Sequence, residues 1–253
     1  LSRIEETKKV LQNAFDNYES FSFLRVGDGD LLMIDGQYKT GHHTNSPALQ
    51  KELQEAVKIT DERYILSATV GIYNDGTGAY GHIKDEQIKI NLDNKLKNII
   101  KKYRVEEIKY HPLVFQYCFE HELEWFINFF RKNFKDKKTL FIGGDYARNK
   151  PMIENLFNVA ETVSFKGQKN AYYQLEDKME EILDKVKYCD VIIPCLGMAT
   201  RVLAKRFWNL NFDKIVLDVG VTIDLLAEDY HRRWAQDMLD SGIANKAKKL
   251  ILG

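Results

Sequence analysis

Apolar positions along this chain recur with two alternating periods. In SRIEETKKVLQNAFDN (residues 2–17), Ile4, Val10, Leu11 and Phe15 fall on one face at helical spacing, which predicts an amphipathic helix. FSFLRV (21–26) then reads as a strand. SPALQKELQEAVKI (46–59) opens with Ser46 in N-cap position and Pro47 in the first turn, so a second helix is predicted there. RYILSATV (63–70) is strand-like, and the glycine-rich GIYNDGTGAYG (71–81) behind it is a loop. A long polar helix follows over 84–103, IKYHPLVFQYC (108–118) reads as extended, and EHELEWFINFFRKNF (120–134) is an amphipathic helix.

The second half repeats the alternation more regularly. Strands are predicted over 138–144, 161–167, 190–197 and 214–220, with helices over 150–158, 172–187 and 198–209 and two more closing the chain. The late strands are continuous and β-branched, the pattern of strands buried on both sides. This predicts one α/β domain over 1–253, Rossmann-like, with a mainly parallel sheet and helices on both faces. Sheets of that kind bind ligands at the carboxyl ends of their strands. The rule selects residues 27–30, 71–81, 143–148, 165–170, 197–200 and 218–224.

Composition narrows the partners more than the fold. With 37 Lys+Arg against 37 Asp+Glu, no global field marks a nucleic-acid binder. The three cysteines form no CxxC pair, and Cys189 and Cys195 flank a predicted buried strand, as small packing residues do in a reducing compartment. No apolar run approaches the roughly 18–20 residues of a membrane span, and no signal peptide opens the chain. A cytoplasmic protein is expected, at most peripheral at the inner face of the membrane. The first residue is Leu1 rather than Met, which suits a piece of a longer protein. A homo-oligomer is compatible with all of this.

The densest chemistry lies in RVGDGD (25–30). Two carboxylates, Asp28 and Asp30, stand where a strand ends, and carboxylates are the ligands Mn²⁺ or Mg²⁺ takes alongside substrate phosphate oxygens. Gly27 and Gly29 would supply unusual backbone angles and close approach. The competing reading is a solvated polar turn. LGMAT (196–200) follows an apolar strand and opens a helix, so Gly197 and Thr200 suit a phosphate cradle, or a plain βα turn. It is neither a Walker A sequence nor GxGxxG. Arg148, Lys169 and Asn170 follow other strands and suit a diphosphate, with surface solvation as the alternative. Asp218 and Asp224 bracket the end of the last strand; either could serve as general base, and Asp224 equally suits the first turn of a helix. The six histidines show no metal-binding spacing, and His42-His43 reads as a non-ligand pair.

Taken in order, these motifs resemble the bacterial glycosyltransferases of the GT-D fold, formerly a domain of unknown function. FLRVGDGDL, LFIGGDYAR, FKGQKNAY, IIPCLGMATRVLAKRF and KIVLDVGVTID each look like an ordered segment of that family. The resemblance implies transfer of a sugar from a nucleotide sugar, a UDP-sugar first, to a hydroxyl of a bacterial surface polysaccharide or a glycoprotein glycan. It implies a divalent ion at Asp28 and Asp30, Arg25 orienting that loop, and the nucleotide near Gly197 to Thr200. Three departures stand out: Asp30 replaces a Glu, GGD replaces a Glu-Gly segment, and Val221 replaces a His. Two other readings fit the residues, a metal-dependent phosphate-ester hydrolase on the same scaffold and a non-catalytic nucleotide-binding protein of glycan assembly.

Overall fold

The computed structural model describes residues 2–40, 43–73, 75, 77, 83–103, 108–147, 149–166 and 170–253. In chain order the first stretch holds α1 (Ser2–Asn17), β1 (Phe21–Val26), α2 (Asp28–Ile34), β2 (Lys39–Thr40), β3 (His43–Thr44), α3 (Pro47–Ala56), β4 (Tyr64–Ala68) and α4 (Glu86–Tyr103). The next holds α5 (Val114–His121), α6 (Leu123–Phe134), β5 (Thr139–Gly144), α7 (Pro151–Phe157), β6 (Val159–Phe165), α8 (Ala171–Lys185) and β7 (Val191–Pro194). Then come α9 (Ala199–Asn209), β8 (Ile215–Leu217), α10 (Thr222–Leu226), α11 (Arg233–Asp240) and α12 (Ile243–Leu252). Internal contacts divide these elements into two compact units, 1–114 with 198–213, and 115–197 with 214–253.

In the first unit β1 and β4 pair in parallel, Ser22 opposite Tyr64 through Val26 opposite Ala68. Every residue of β4 is buried, as are all but Arg25 in β1, so these strands are covered on both sides. Helix α1 buries Ile4, Thr7, Leu11 and Ala14, one face at helical period. Ser46 caps α3 by accepting from the Leu49 N–H at 3.1 Å, with Pro47 in the first turn, as the sequence predicts. Helix α9 is buried nearly all round and carries cations on its buried faces. Lys205 reaches Glu55 at 2.7 Å, and Arg206 grips Glu52 through Nε and Nη2 at 3.0 and 2.7 Å. These pairs tie α9 to α3 and neutralise charge that would be costly to bury alone.

The second unit carries four parallel strands in the order β8-β7-β5-β6. Its core is aromatic, with Phe130 meeting Phe126 and Phe157 edge-on at 4.9 Å each. Cys189 is buried and its thiol is pushed up to about 11 by desolvation, which suits a packing residue rather than a nucleophile. All main-sheet strands pair in parallel, so within each unit the strand carboxyl ends face the same way.

Two expectations are corrected. Residues 114–118 open helix α5 rather than continuing extended chain, because Val114, Phe115, Cys118 and Phe119 bury one helical face. Three helices, not two, follow the last strand. No helix among the described residues is long and apolar enough to cross a membrane.

Candidate active site at the strand carboxyl ends

The GDGD segment is not a turn but the start of a helix. Asp28 and Asp30 are in the first turn of α2, with Gly27 as its N-cap. Acidic side chains are favoured there because they meet the unpaired N–H groups at the helix start. Asp30 Oδ2 accepts from the Gly27 N–H at 2.7 Å, the reach-back half of a capping box. Neither Gly27 (φ −76°) nor Gly29 takes a left-handed conformation, so the expectation of unusual backbone angles is corrected. What Gly27 supplies is closeness: a Cβ there would sit 3.3 Å from Asp30 Oδ2, a tight contact that the carboxylate would have to shift a few tenths of an ångström to relieve.

The two carboxylates have different surroundings. Asp28 is exposed and accepts from the Gly29 N–H at 2.8 Å. Asp30 is 4% exposed, and its Oδ2 also receives Arg201 Nη2 at 2.9 Å, a buried ion pair. Carboxylate chemistry suits a divalent cation at either residue. Asp28 is the more open of the two, while Asp30 is buried and shares its Oδ2 with Gly27 and Arg201. Among the described residues no three His, Cys, Asp or Glu side chains gather into a metal-binding group. An ion at Asp28 would complete its shell with substrate oxygens and water, the usual habit of Mg²⁺.

The loop after β4 begins beside this segment. The Thr69 N–H donates to the Val26 carbonyl at 3.2 Å, so the two carboxyl-end loops leave neighbouring strands together. Within it Asp75 takes three bonds: Thr77 N and Oγ1 on Oδ1, at 3.0 and 2.5 Å, and His111 Nε2 on Oδ2 at 2.8 Å. The Leu113 N–H donates to His111 Nδ1 at 3.1 Å, so Nδ1 is the acceptor and Nε2 carries the proton. Burial alone would push Asp75 up, but the bonds from His111 and Thr77 hold it at about 2. Burial holds His111 below the usual histidine range despite its aspartate partner.

These two shifts have the same sign for stability. In both groups the unfolded chain binds the proton more readily, so the contribution is complete above the ordinary pKa and lost as pH falls from there toward the folded value. His111 acts first, below about pH 6.5, and Asp75 only between about 3.8 and 2. The urea midpoint should be flat above pH 7 and fall as pH drops below about 6.5, with that first fall reduced in His111→Asn. An unchanged acid limb in the variant would show that His111 does not titrate with folding.

Other predicted residues divide between the units. Arg25 and Thr200 belong to the first; the Arg25 guanidinium reaches the Pro112 carbonyl at 3.4 Å, and Thr200 is buried in the first turn of α9. Asn170, Gly197, Asp218 and Asp224 belong to the second. Asn170 (φ 53°) and Gly197 (φ 57°) take left-handed backbone where a strand hands over to a helix, the conformation Asn and Gly tolerate best. Asp218 is buried just past β8; Asp224 is buried in α10 with Oδ2 2.7 Å from Arg232 Nε. Arg148 and Lys169 lie outside the described residues, as does His42 of the His42-His43 pair. Sequence reasoning missed Arg201, Asp75 and His111. Asp75 lay in a segment marked for attention, but nothing local pointed to its partner.

Parallel strands with an acidic helix start at their carboxyl ends define an α/β enzyme of the kind that binds its ligand at the sheet's edge. The chain belongs to the family described as glycosyltransferase GT-D fold, whose model matches residues 23–240, and it is a glycosyltransferase. Among solved structures it is similar to a glycosyltransferase (DUF1792) from Streptococcus sanguinis, at 17% identity and TM-score 0.66 over 94% of this chain and 84% of that one. A second, described as the highly conserved domain of unknown function 1792 with a distinct glycosyltransferase fold, gives 14% identity and TM-score 0.65 over 94% and 80%. At these identities the likeness is one of fold. No curated protein matches.

Proposed function

We propose that this glycosyltransferase moves a sugar from a UDP-sugar to a hydroxyl of a bacterial surface polysaccharide or glycoprotein glycan, with Mn²⁺ or Mg²⁺ at Asp28. The observation that carries the reading is the exposed Asp28 carboxylate at the carboxyl end of β1, in a chain of this family. When bound, the ion would offset charge developing on the departing diphosphate. Asp28 binds it, and Asp30, locked to Gly27 and Arg201, holds the first turn of α2 so that Asp28 stays in place. Arg25, Gly27, Gly29, Asn170, Gly197 and Thr200 are the proposed donor-binding residues, with Arg148 and Lys169 as further cations for the diphosphate.

In the transfer, the acceptor oxygen bonds to the anomeric carbon while the carbon–oxygen bond to the diphosphate breaks and its electrons leave with UDP. The acceptor proton passes to a carboxylate. Asp218 and Asp224 are the candidate bases, and Asp224 has Arg232 against it.

A thermal-shift panel of UDP-, GDP-, CMP- and dTDP-sugars, each with and without Mn²⁺, tests the donor. Ligand at 100 times its Kd stabilises by about 2.7 kcal/mol, or roughly 5–10 °C for a chain of this size. The expected result is that shift with a UDP-sugar plus Mn²⁺ and little with either alone. Stabilisation by another nucleotide would reassign the donor, and a flat panel would remove the nucleotide-sugar reading. Release of UDP or phosphate at a rate indifferent to every acceptor offered would favour the hydrolase.

A further inference from the structure

Two polar anchors, Asp93 and Arg3, hold the backbone just after β4, and two more, Thr7 and His111, support Asp75 further along. Asp93, 1% exposed on α4, accepts from the Gly71 N–H at 2.5 Å through Oδ1 and meets Lys97 with Oδ2 at 2.7 Å. Arg3 of α1 donates to the carbonyls of Val70, Lys109 and Tyr110 at 2.7, 2.9 and 2.9 Å. Thr7 of the same helix accepts from the His111 N–H at 2.8 Å. His111, fully buried, passes this support to Asp75 through its Nε2 proton. Gly71 (φ +72°) makes the bend that lets the chain enter this frame.

Burying an aspartate and a histidine for a surface loop is an expensive way to stabilise a fold, since apolar residues of similar size usually do as well or better. Where the loop lies accounts for the expense. It leaves β4 one strand spacing, about 5 Å, from where Gly27 leaves β1, at the end of a parallel pair where ligands bind. Asp75 is a weak base, held at about 2 by the bonds from His111 and Thr77, and His111 has both ring nitrogens engaged.

We infer that Asp75 and His111 are a positioning pair: with Asp93 and Arg3 they fix residues 69–73, Asp75 and Thr77 as a rigid wall of the donor site beside Asp28. The wall is built in the free protein rather than closing over the ligand, so the donor meets a surface whose ordering entropy is already spent. This rests on the glycosyltransferase reading for its kinetic consequence but not for its structural one.

Two substitutions at one position separate positioning from bulk stability. The amide nitrogen of Gln reaches where His111 Nε2 lies and can donate to Asp75. Asn is a bond shorter; it can accept from the Leu113 N–H but leaves Asp75 without its buried donor. In His111→Asn we expect the donor KM to rise about tenfold or more, and amide exchange across the loop after β4 to quicken in the free protein. In His111→Gln both should stay within about threefold of wild type. Asp75→Asn, which keeps the shape and loses the charge, should follow His111→Asn and serves if that variant does not fold. Equal kinetics and equal exchange in the Asn and Gln variants would overturn the inference, as would a wild-type donor KM in His111→Asn. If the wild-type enzyme turns over no nucleotide sugar, the donor reading fails instead; the exchange measurement still decides the pair, and unchanged exchange in His111→Asn overturns it.

Discussion

Asp28→Asn should lower Mn²⁺-dependent sugar transfer by a factor of 100 or more while leaving the folded protein nearly as stable as wild type. Asparagine keeps an oxygen for the Gly29 N–H, which Asp28 holds at 2.8 Å, so the local geometry survives. The charge is lost, and with it most of the attraction for a divalent cation. Because Asp28 is exposed in the first turn of α2, its dipole contribution is only about 0.3–1 kcal/mol, and Tm should fall by a few degrees at most. The check is an initial-rate assay with donor and Mn²⁺ near saturation, beside a melting curve of the same preparation. Wild-type turnover in Asp28→Asn would remove the metal from this carboxylate.

Arg201→Met should do the reverse, with stability lost first. The guanidinium and Asp30 carboxylate are each about 6% exposed and 2.9 Å apart, so methionine leaves a buried carboxylate without its cation. Removing one partner of such a pair costs about 3–5 kcal/mol, or roughly 6–20 °C in Tm for a chain of this size. The Asp30→Asn, Arg201→Met double variant removes the stranded charge and should recover part of that loss; a double-mutant cycle in urea measures the coupling. Additive losses in the cycle would mean that the pair is not energetically coupled. Activity in Arg201→Met is expected to fall as well, since Asp30 then no longer braces the turn that presents Asp28. Shifting the metal concentration for half-maximal rate, more than the donor KM, would mark that route.

Together the two variants test whether Asp28 and Asp30 act as one pair of ligands or divide the work between them. Two acidic residues two positions apart read as a pair of ligands, yet one faces solvent and the other faces Arg201. The distinction follows from helix geometry, since neighbours two apart on an α-helix point about 200° apart around its axis. Once residues 28–34 are helical, Asp28 and Asp30 cannot share a face.

Sequence by itself determined the alternation of strands and helices, the parallel α/β class, the caps such as Ser46, and the carboxyl-end positions where Asp28 and Asp218 lie. Those features are written in periods of two and 3.6 and in local hydrogen-bonding preferences, which act over a few residues. It misread residues 114–118, where aromatic and β-branched side chains imitate a strand and burial of one face makes a helix instead. Only the tertiary structure decided that Asp30 belongs to Arg201, 171 residues away, and Asp75 to His111, 36 residues away. A buried charge takes whichever partner the folded chain brings within about 3 Å, and the identity of that partner has no local signature.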